Sequence, residues 1–371
     1  MVDAGTTREV GTGRARARTS TRRRLDAFRW RWVGAPLPLT LVALAAVCAV
    51  ALTRGAASIP VGAMLRIVLI VYRSLGRSST AAPSRSRGSA SCWMSGCLRA
   101  AAVAEQLALA GASYQGVFRN PLANPYLLGV AEGAALGATI VILSPLGTGG
   151  YGFGPVPLAA FAGGGLTMLV VYALSRGAGG GASPTTLILA GVALSALLSA
   201  VTSFLMMGAG QRAQAVFAFL FGTLNISSWE RLAWGAPYLV VGGAVVLAHA
   251  RVLNVLQLDE EQAQQLGVNV TRAKLIVLGA SSLMATTAVA IAGVIGFVGL
   301  IVPHVVRLLW GGDYRGVLPL SAILGAAFLV ATDTLGRTVL APQEVPVGII
   351  TAIAGAPFFL YLLRSHRMSG L

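Results

Sequence analysis

Residues 273–310 read AKLIVLGASSLMATTAVAIAGVIGFVGLIVPHVVRLLW, with Lys274 at one end, Arg307 near the other and no other charged side chain. The stretch holds two apolar runs, Ala273 to Ile291 and Val294 to Trp310. Each is close to the roughly 20 residues that cross bilayer hydrocarbon as a helix. Working outward, similar runs occur at Leu37–Thr53, Leu127–Leu143, Pro157–Leu174, Thr186–Met207, Trp234–His249, Val317–Leu335 and Val345–Leu363. A weaker one at Leu98–Tyr114 is interrupted by Arg99 and Glu105.

The composition agrees. Of 371 residues 56% are apolar and 11% charged, with mean hydropathy +0.76. An ordinary soluble domain carries about 25% charged residues. The apolar fraction is enough for on the order of ten spans, so the expected architecture is all-α and polytopic. A water-soluble enzyme is excluded.

The net charge of +16 would suggest nucleic acid in a soluble protein, but it is unevenly placed. Residues 1–31 hold nine Arg and three acids, a net +6, and residues 73–99 hold five Arg and no acid. The first block lies just ahead of the first apolar run and reads as a cytoplasmic tail (1–33) under the positive-inside rule. A cleaved signal or a twin-arginine signal is the rival reading of that tail. From an inner N-terminus, the even-numbered spans return to the cytoplasm at Arg119, at Arg176, at Arg251 with Arg272 and Lys274, at Arg307 with Arg315, and at Arg364 with Arg367. Every expected inner segment is basic. Arg54, Arg66, Arg212, Arg231 and Arg337 fall on expected outer segments and need a separate reason.

Four constellations stand out. Gln115-Gly116-Val-Phe-Arg119-Asn120-Pro121-Leu122-Ala123-Asn124-Pro125 carries two Asn-Pro pairs that end one span, turn, and start the next. Asn254 to Thr271 contains Leu258, Asp259, Glu260, Glu261, Ala263, Leu266 and Gly267. This pattern predicts a short surface helix with acids at its positive end and Gly past its C-terminus. Gly296-Phe297-Val298-Gly299-Leu300-Ile301-Val302-Pro303-His304 runs on to Arg307. Pro346-Val347-Gly348 to Pro357-Phe358-Phe359 suggests a kinked span. Glu132, Asp333 and His304 within apolar runs are candidate relay groups for a proton-coupled transporter working alone. Interhelical hydrogen bonding explains them equally well.

No catalytic signature is present. Lys274 follows Arg272-Ala273, so no Gly-Lys-Ser/Thr phosphate loop exists. Cys48, Cys92 and Cys97 form no CxxC pair and three histidines lie far apart, which disfavours a metal site.

Taken in order, the motifs at Gln115–Ala123, Leu189–Leu194, Gly296–His304 and Pro346–Phe359 resemble the FecCD family, the permease subunits of ABC importers for iron siderophores, haem and vitamin B12. The likeness spans residues 37–72 and 107–365. It implies a type II importer fold of about ten helices in the cytoplasmic (inner) membrane, both termini cytoplasmic (366–371 forming the C-terminal tail). The partners it implies are a second permease subunit as homo- or heterodimer, two separate ATPase subunits and an extracytoplasmic solute-binding protein. ATP and Mg would lie on the ATPase, with no cofactor or metal on this chain and no nucleic-acid partner. The resemblance assigns ATPase coupling to Leu258, Asp259, Glu260, Glu261, Ala263, Leu266 and Gly267, an inner gate to Ser183, Thr185 and Thr186, and binding-protein docking to Arg337. Its family motif falls on Gln115, Gly116, Arg119, Asn120, Pro121, Gly296, Pro303, His304, Arg307, Pro346, Gly348 and Pro357.

Residues 74–106 depart from that pattern. Where the family carries Arg-Leu-Pro-Arg and an unbroken apolar run, this chain is rich in Ser and Arg. A pair of compensating frameshifts and a genuine Ser/Arg-rich external loop are equally consistent with the sequence.

Overall fold

Why these runs become separate helices is visible at their ends. In a computed structural model, which describes residues 36–54, 85–148, 154–177, 184–224, 228–258, 260–341 and 343–368, proline opens several helices and polar side chains cap others. The helices are Pro36–Arg54 (α1), Arg85–Phe118 (α2), Val130–Leu143 (α3), Pro155–Gly177 (α4), Pro184–Met207 (α5) and Ala213–Leu220 (α6). Then follow Trp229–Ala248 (α7), Ala250–Val255 (α8), Glu260–Gln265 (α9), Val270–Ala292 (α10), Val298–Trp310 (α11), Tyr314–Thr338 (α12) and Val347–Met368 (α13). Among the described residues no strand occurs.

Pro155 and Pro184 occupy first helical positions, where the missing N–H costs nothing. Ser228, Asn269 and Asp313 accept the first-turn amides of Arg231, Arg272 and Arg315, satisfying donors that a helix start otherwise orphans. Among the described residues five helices, α4, α5, α7, α10 and α12, are long and apolar enough to span a bilayer, and α1, α3, α11 and α13 contribute shorter apolar stretches. The chain is therefore a multi-pass membrane protein.

Packing centres on α2, α10 and α12. Tyr114, Leu253, Met284 and Leu318 form one buried cluster; Val103, Ala104, Ile291 and Leu329 form a second. By contrast α5 is mostly exposed, presenting Leu189, Leu197, Phe204 and Met207.

Three expectations change. Residues 85–118 form one 34-residue helix rather than an interrupted run at 98–114. Arg99 and Glu105 are accommodated because Ala100, Val103, Ala104 and Leu107 pack inward from the same helix. Cys97, Ala100, Val103, Ala104 and Gln106, placed in the anomalous segment by sequence, are therefore buried. The run Val294–Trp310 is helical only from Val298, and α11 has 13 residues, about 20 Å, short of the ~30 Å hydrocarbon layer. Gly293 to Phe297 is unwound. Pro346 precedes α13 and only Pro357 lies inside it, so the two prolines do not share a helix.

The unwound stretch is supplied with partners by loops that return into the bundle. The Val294 amide donates to the Phe219 carbonyl and, at the end of α10, the Ala292 carbonyl accepts the Thr223 amide; beside them Gly348 donates its amide to Phe221, each at 3.0 Å. The Tyr126 hydroxyl donates to the Ile295 carbonyl at 2.9 Å. Non-helical backbone at membrane depth is tolerated where protein satisfies it in this way.

The basic tail 1–33, residues 74–84, Ser183, Asp259 and the last residues of the C-terminal tail lie outside the described residues.

Candidate coupling site at the bundle base

The Asn-Pro turns build the floor of the site. Asn120 Oδ1 accepts the Leu122 amide at 2.9 Å and Asn124 Oδ1 accepts the Tyr126 amide at 3.3 Å. The chain thus leaves α2 in an ordered turn before the short 3-10 segment at Pro125–Leu128. Pro121 and Leu122 are exposed in this turn.

Gln115, Gly116 and Arg119 then meet residues far away in sequence. Gln115 Nε2 donates to the carbonyls of Gly299 and Leu300, both at 3.2 Å, and Gln115 Oε1 accepts from the Arg307 guanidinium. Arg119 Nε donates to the Leu256 carbonyl at 2.6 Å. Gln257 Nε2 donates to Gly116 and Leu253 carbonyls at 2.9 and 3.0 Å. Asn254 closes the cluster, donating to Asp313 Oδ1 at 2.7 Å and accepting the Tyr314 amide at 2.9 Å. Four chain segments, α2, α8, α11 and α12, are thereby bound at one end of the bundle.

From this base projects α9. Glu260 and Glu261 begin it, where the helix dipole favours acids, and Gly267 at φ +81° ends it, a left-handed conformation suited to glycine. Ala263 is fully buried, while Leu258 and Leu266 are 41% and 63% exposed. Lys274 Nζ lies 2.5 Å from Glu260 Oε1. That hydrogen bond and the Lys274 charge, helped by Arg119, hold the Glu260 carboxyl below its usual range.

The remaining candidates stand apart. Thr185 is exposed and Thr186 half-buried in the first turn of α5. Gly348 lies against the unwound stretch: a Cβ added there would lie 2.1 Å from the Phe221 carbonyl oxygen and 3.2 Å from that of Val294. Pro303 and His304 are buried on α11, with the His304 ring edge-on to Phe358 of α13 at 6.1 Å. Gly296 sits in the unwound segment, where an added Cβ would meet nothing within 4 Å. Arg337 is at the far end of α12, about 34 Å from its start, with Nε 2.9 Å from Asp333 Oδ2. Asp333 therefore meets Arg337, Glu132 lies at the start of α3, and His304 meets Phe358. The three relay candidates keep separate neighbourhoods.

Sequence reasoning missed Gln257 and Tyr126, whose roles depend on carbonyls distant in the chain. Asn254 and Asp313 carried a usable signal, since Asp ahead of an apolar run marks a helix start.

Comparison with known proteins fits this architecture. The chain is 49% identical over 272 residues to the cobalamin import system permease protein BtuC of Halobacterium salinarum, covering 73% of this chain and 72% of the relative. It is 39% identical over 279 residues to the hemin transport system permease protein HmuU of Yersinia pestis, covering 73% and 81%. Over 272 residues it is 38% identical to the Fe(3+) dicitrate transport system permease protein FecC of Escherichia coli, covering 72% and 80%. A solved structure described as an inward-facing metal-chelate type ABC transporter superposes with TM-score 0.74 at 29% identity, covering 90% of this chain and 99% of that one. The FecCD transport family matches residues 41–365, and with its all-helical, multi-pass build and these permease relatives the chain belongs to that family.

Proposed function

We propose that this chain is the membrane-spanning subunit of an ABC importer for metal chelates and carries a ferric siderophore, or a related chelate such as haem or cobalamin, inward by alternating access. It works as a homo- or heterodimer in the cytoplasmic membrane with both termini inside. Two separate ATPase subunits hold ATP and Mg, and a solute-binding protein delivers cargo from outside. The chain itself performs no chemistry; it provides the path and the coupling surface.

The observation that carries this reading is α9. It is anchored through buried Ala263 while Leu258 and Leu266 face outward beside two acids. A short, exposed apolar surface rimmed by charge marks a protein docking site. Thr185 and Thr186, at the first turn of the poorly buried α5, are proposed as the inner gate, Ser183 with them. Arg337 is proposed to meet the binding protein at the opposite end.

Proteoliposomes containing the permease, its ATPase and its loaded binding protein are expected to accumulate ferric siderophore only with Mg-ATP. Uptake should stop when the ATPase is omitted and should withstand an uncoupler. Accumulation without ATPase would overturn the reading in favour of a transporter working alone.

A further inference from the structure

Besides the packing of buried Ala263, two polar connections lead from α9 into the membrane bundle. One is the Lys274–Glu260 pair onto α10, whose Glu260 side chain is 55% exposed and which is correspondingly screened by water and salt. The other runs through the root of α9. Leu256 and Gln257 are bound to the last turn of α2 by Arg119 Nε at 2.6 Å and by Gln257 Nε2 on the Gly116 carbonyl at 2.9 Å.

A turn earlier on α2, Gln115, only 2% exposed, continues the connection. Its amide nitrogen holds the carbonyls of Gly299 and Leu300 in the first turn of α11, and its oxygen accepts from Arg307, about two and a half turns from that helix's start. Gly111 and Gly299 bring the two helix backbones into direct contact, so α2 and α11 have little freedom to slide. The ends of this connection are also the two non-glycine residues with left-handed backbone among the described residues, Arg119 at φ +49° and Phe297 at φ +67°. Such conformations persist where the surroundings over-determine them.

Immediately before Phe297 the character of the chain changes. After Gly293, whose amide makes the last helical bond of α10 to Val289, the ladder is absent to Phe297: the Val294 amide goes to Phe219 of α6, the Ile295 carbonyl takes the Tyr126 hydroxyl, and Gly348 and Gly355 of α13 lie close against Val294 and Phe297. A stretch held by loops between two rigid helices is where a bend concentrates.

We infer that Gln257 and Gln115 are positioning residues that join the root of α9, the inner half of α2 and α11 into one moving body, hinged at Gly293–Phe297. A displacement at α9 then reaches the middle of the membrane through α11 instead of ending at the foot of α10. This rests on α9 being the ATPase dock.

The test is hydrogen exchange on the full-length permease in nanodiscs, alone and with its ATPase subunits and a non-hydrolysable Mg-nucleotide. In wild type, docking is expected to change exchange of the amides at 295–300 at least tenfold. In Gln257→Met, which keeps volume but loses the donor, the ATPase should still bind within threefold while that change falls below twofold. Gln257→Lys, which restores a donor, should recover it, and uptake per ATP should drop at least fivefold in the Met variant only. Unmoved amides in the ATPase-bound wild type, or a Met variant that responds like wild type, would overturn the inference. So would loss of protection throughout the Met variant without rescue by Lys. An ATPase that fails to bind wild type would instead overturn the docking reading, and this inference with it.

Discussion

Among the described glycines, Gly111 of α2 leaves the least room for a side chain, because it faces the backbone of Gly299 on α11. A Cβ built on Gly111 would lie 1.8 Å from the Gly299 carbonyl oxygen, and one on Gly299 would lie 2.6 Å from the Leu107 carbonyl. Neither obstacle is a flexible side chain, so the helices would have to part. Gly111→Ala is expected to destabilise the protein by about 1–3 kcal/mol, the range for overpacked cores, read as a lower thermal midpoint in detergent. Gly279→Ala, where nothing lies within 4 Å, should leave the midpoint unchanged or raised, because alanine is the better helix former. The two glycines look alike in sequence. Close approach is a property of the facing backbone, which a single segment does not contain. Gln257 was hidden for the same reason.

At the scale of elements, α9 was readable because its signals are local: acids at the start, a left-handed glycine at the end, and too few apolar residues to enter lipid. Its exposed leucine supplies a direct check. Leu266→Asp is expected to weaken ATPase binding at least tenfold, measured by pull-down or fluorescence titration, while the thermal midpoint of the permease alone stays put, since the side chain is 63% exposed. The break before α11 was unreadable. Val294 to Pro303 is apolar throughout, and hydropathy reports how a segment partitions, with no account of where its amide hydrogens go. The partners at Phe219 and Tyr126 make the break possible, and both are remote in sequence. The eight-residue α6 escaped notice likewise, being too short to register as a span.

For the whole molecule, the alternation of basic segments gives an orientation that single cysteines can check. In a background with the native cysteines replaced by Ser, Gln211→Cys is expected to react with a membrane-impermeant maleimide on intact cells. Thr271→Cys should react only after permeabilisation. Both positions are exposed, and the reverse pattern would invert the topology. The arginines that broke the positive-inside rule separate into cases. Arg337 is paired with Asp333 and Arg231 is 8% exposed. Arg66 and the side chain of Arg54 lie outside the described residues. Arg212 donates from Nη1 to the carbonyls of Leu143 and Ser144 at 2.8 and 2.9 Å, where the end of α3 offers unpaired acceptors and negative dipole. Its acceptors precede it by 69 and 68 residues, about 3–14 s of synthesis at 5–20 residues per second. When the ribosome delivers Arg212, the carbonyls that receive it have already been made. On the orientation that the basic segments predict, Arg212 would then cross to an anchor already in place, and the order of translation would help to retain its loop on the far side.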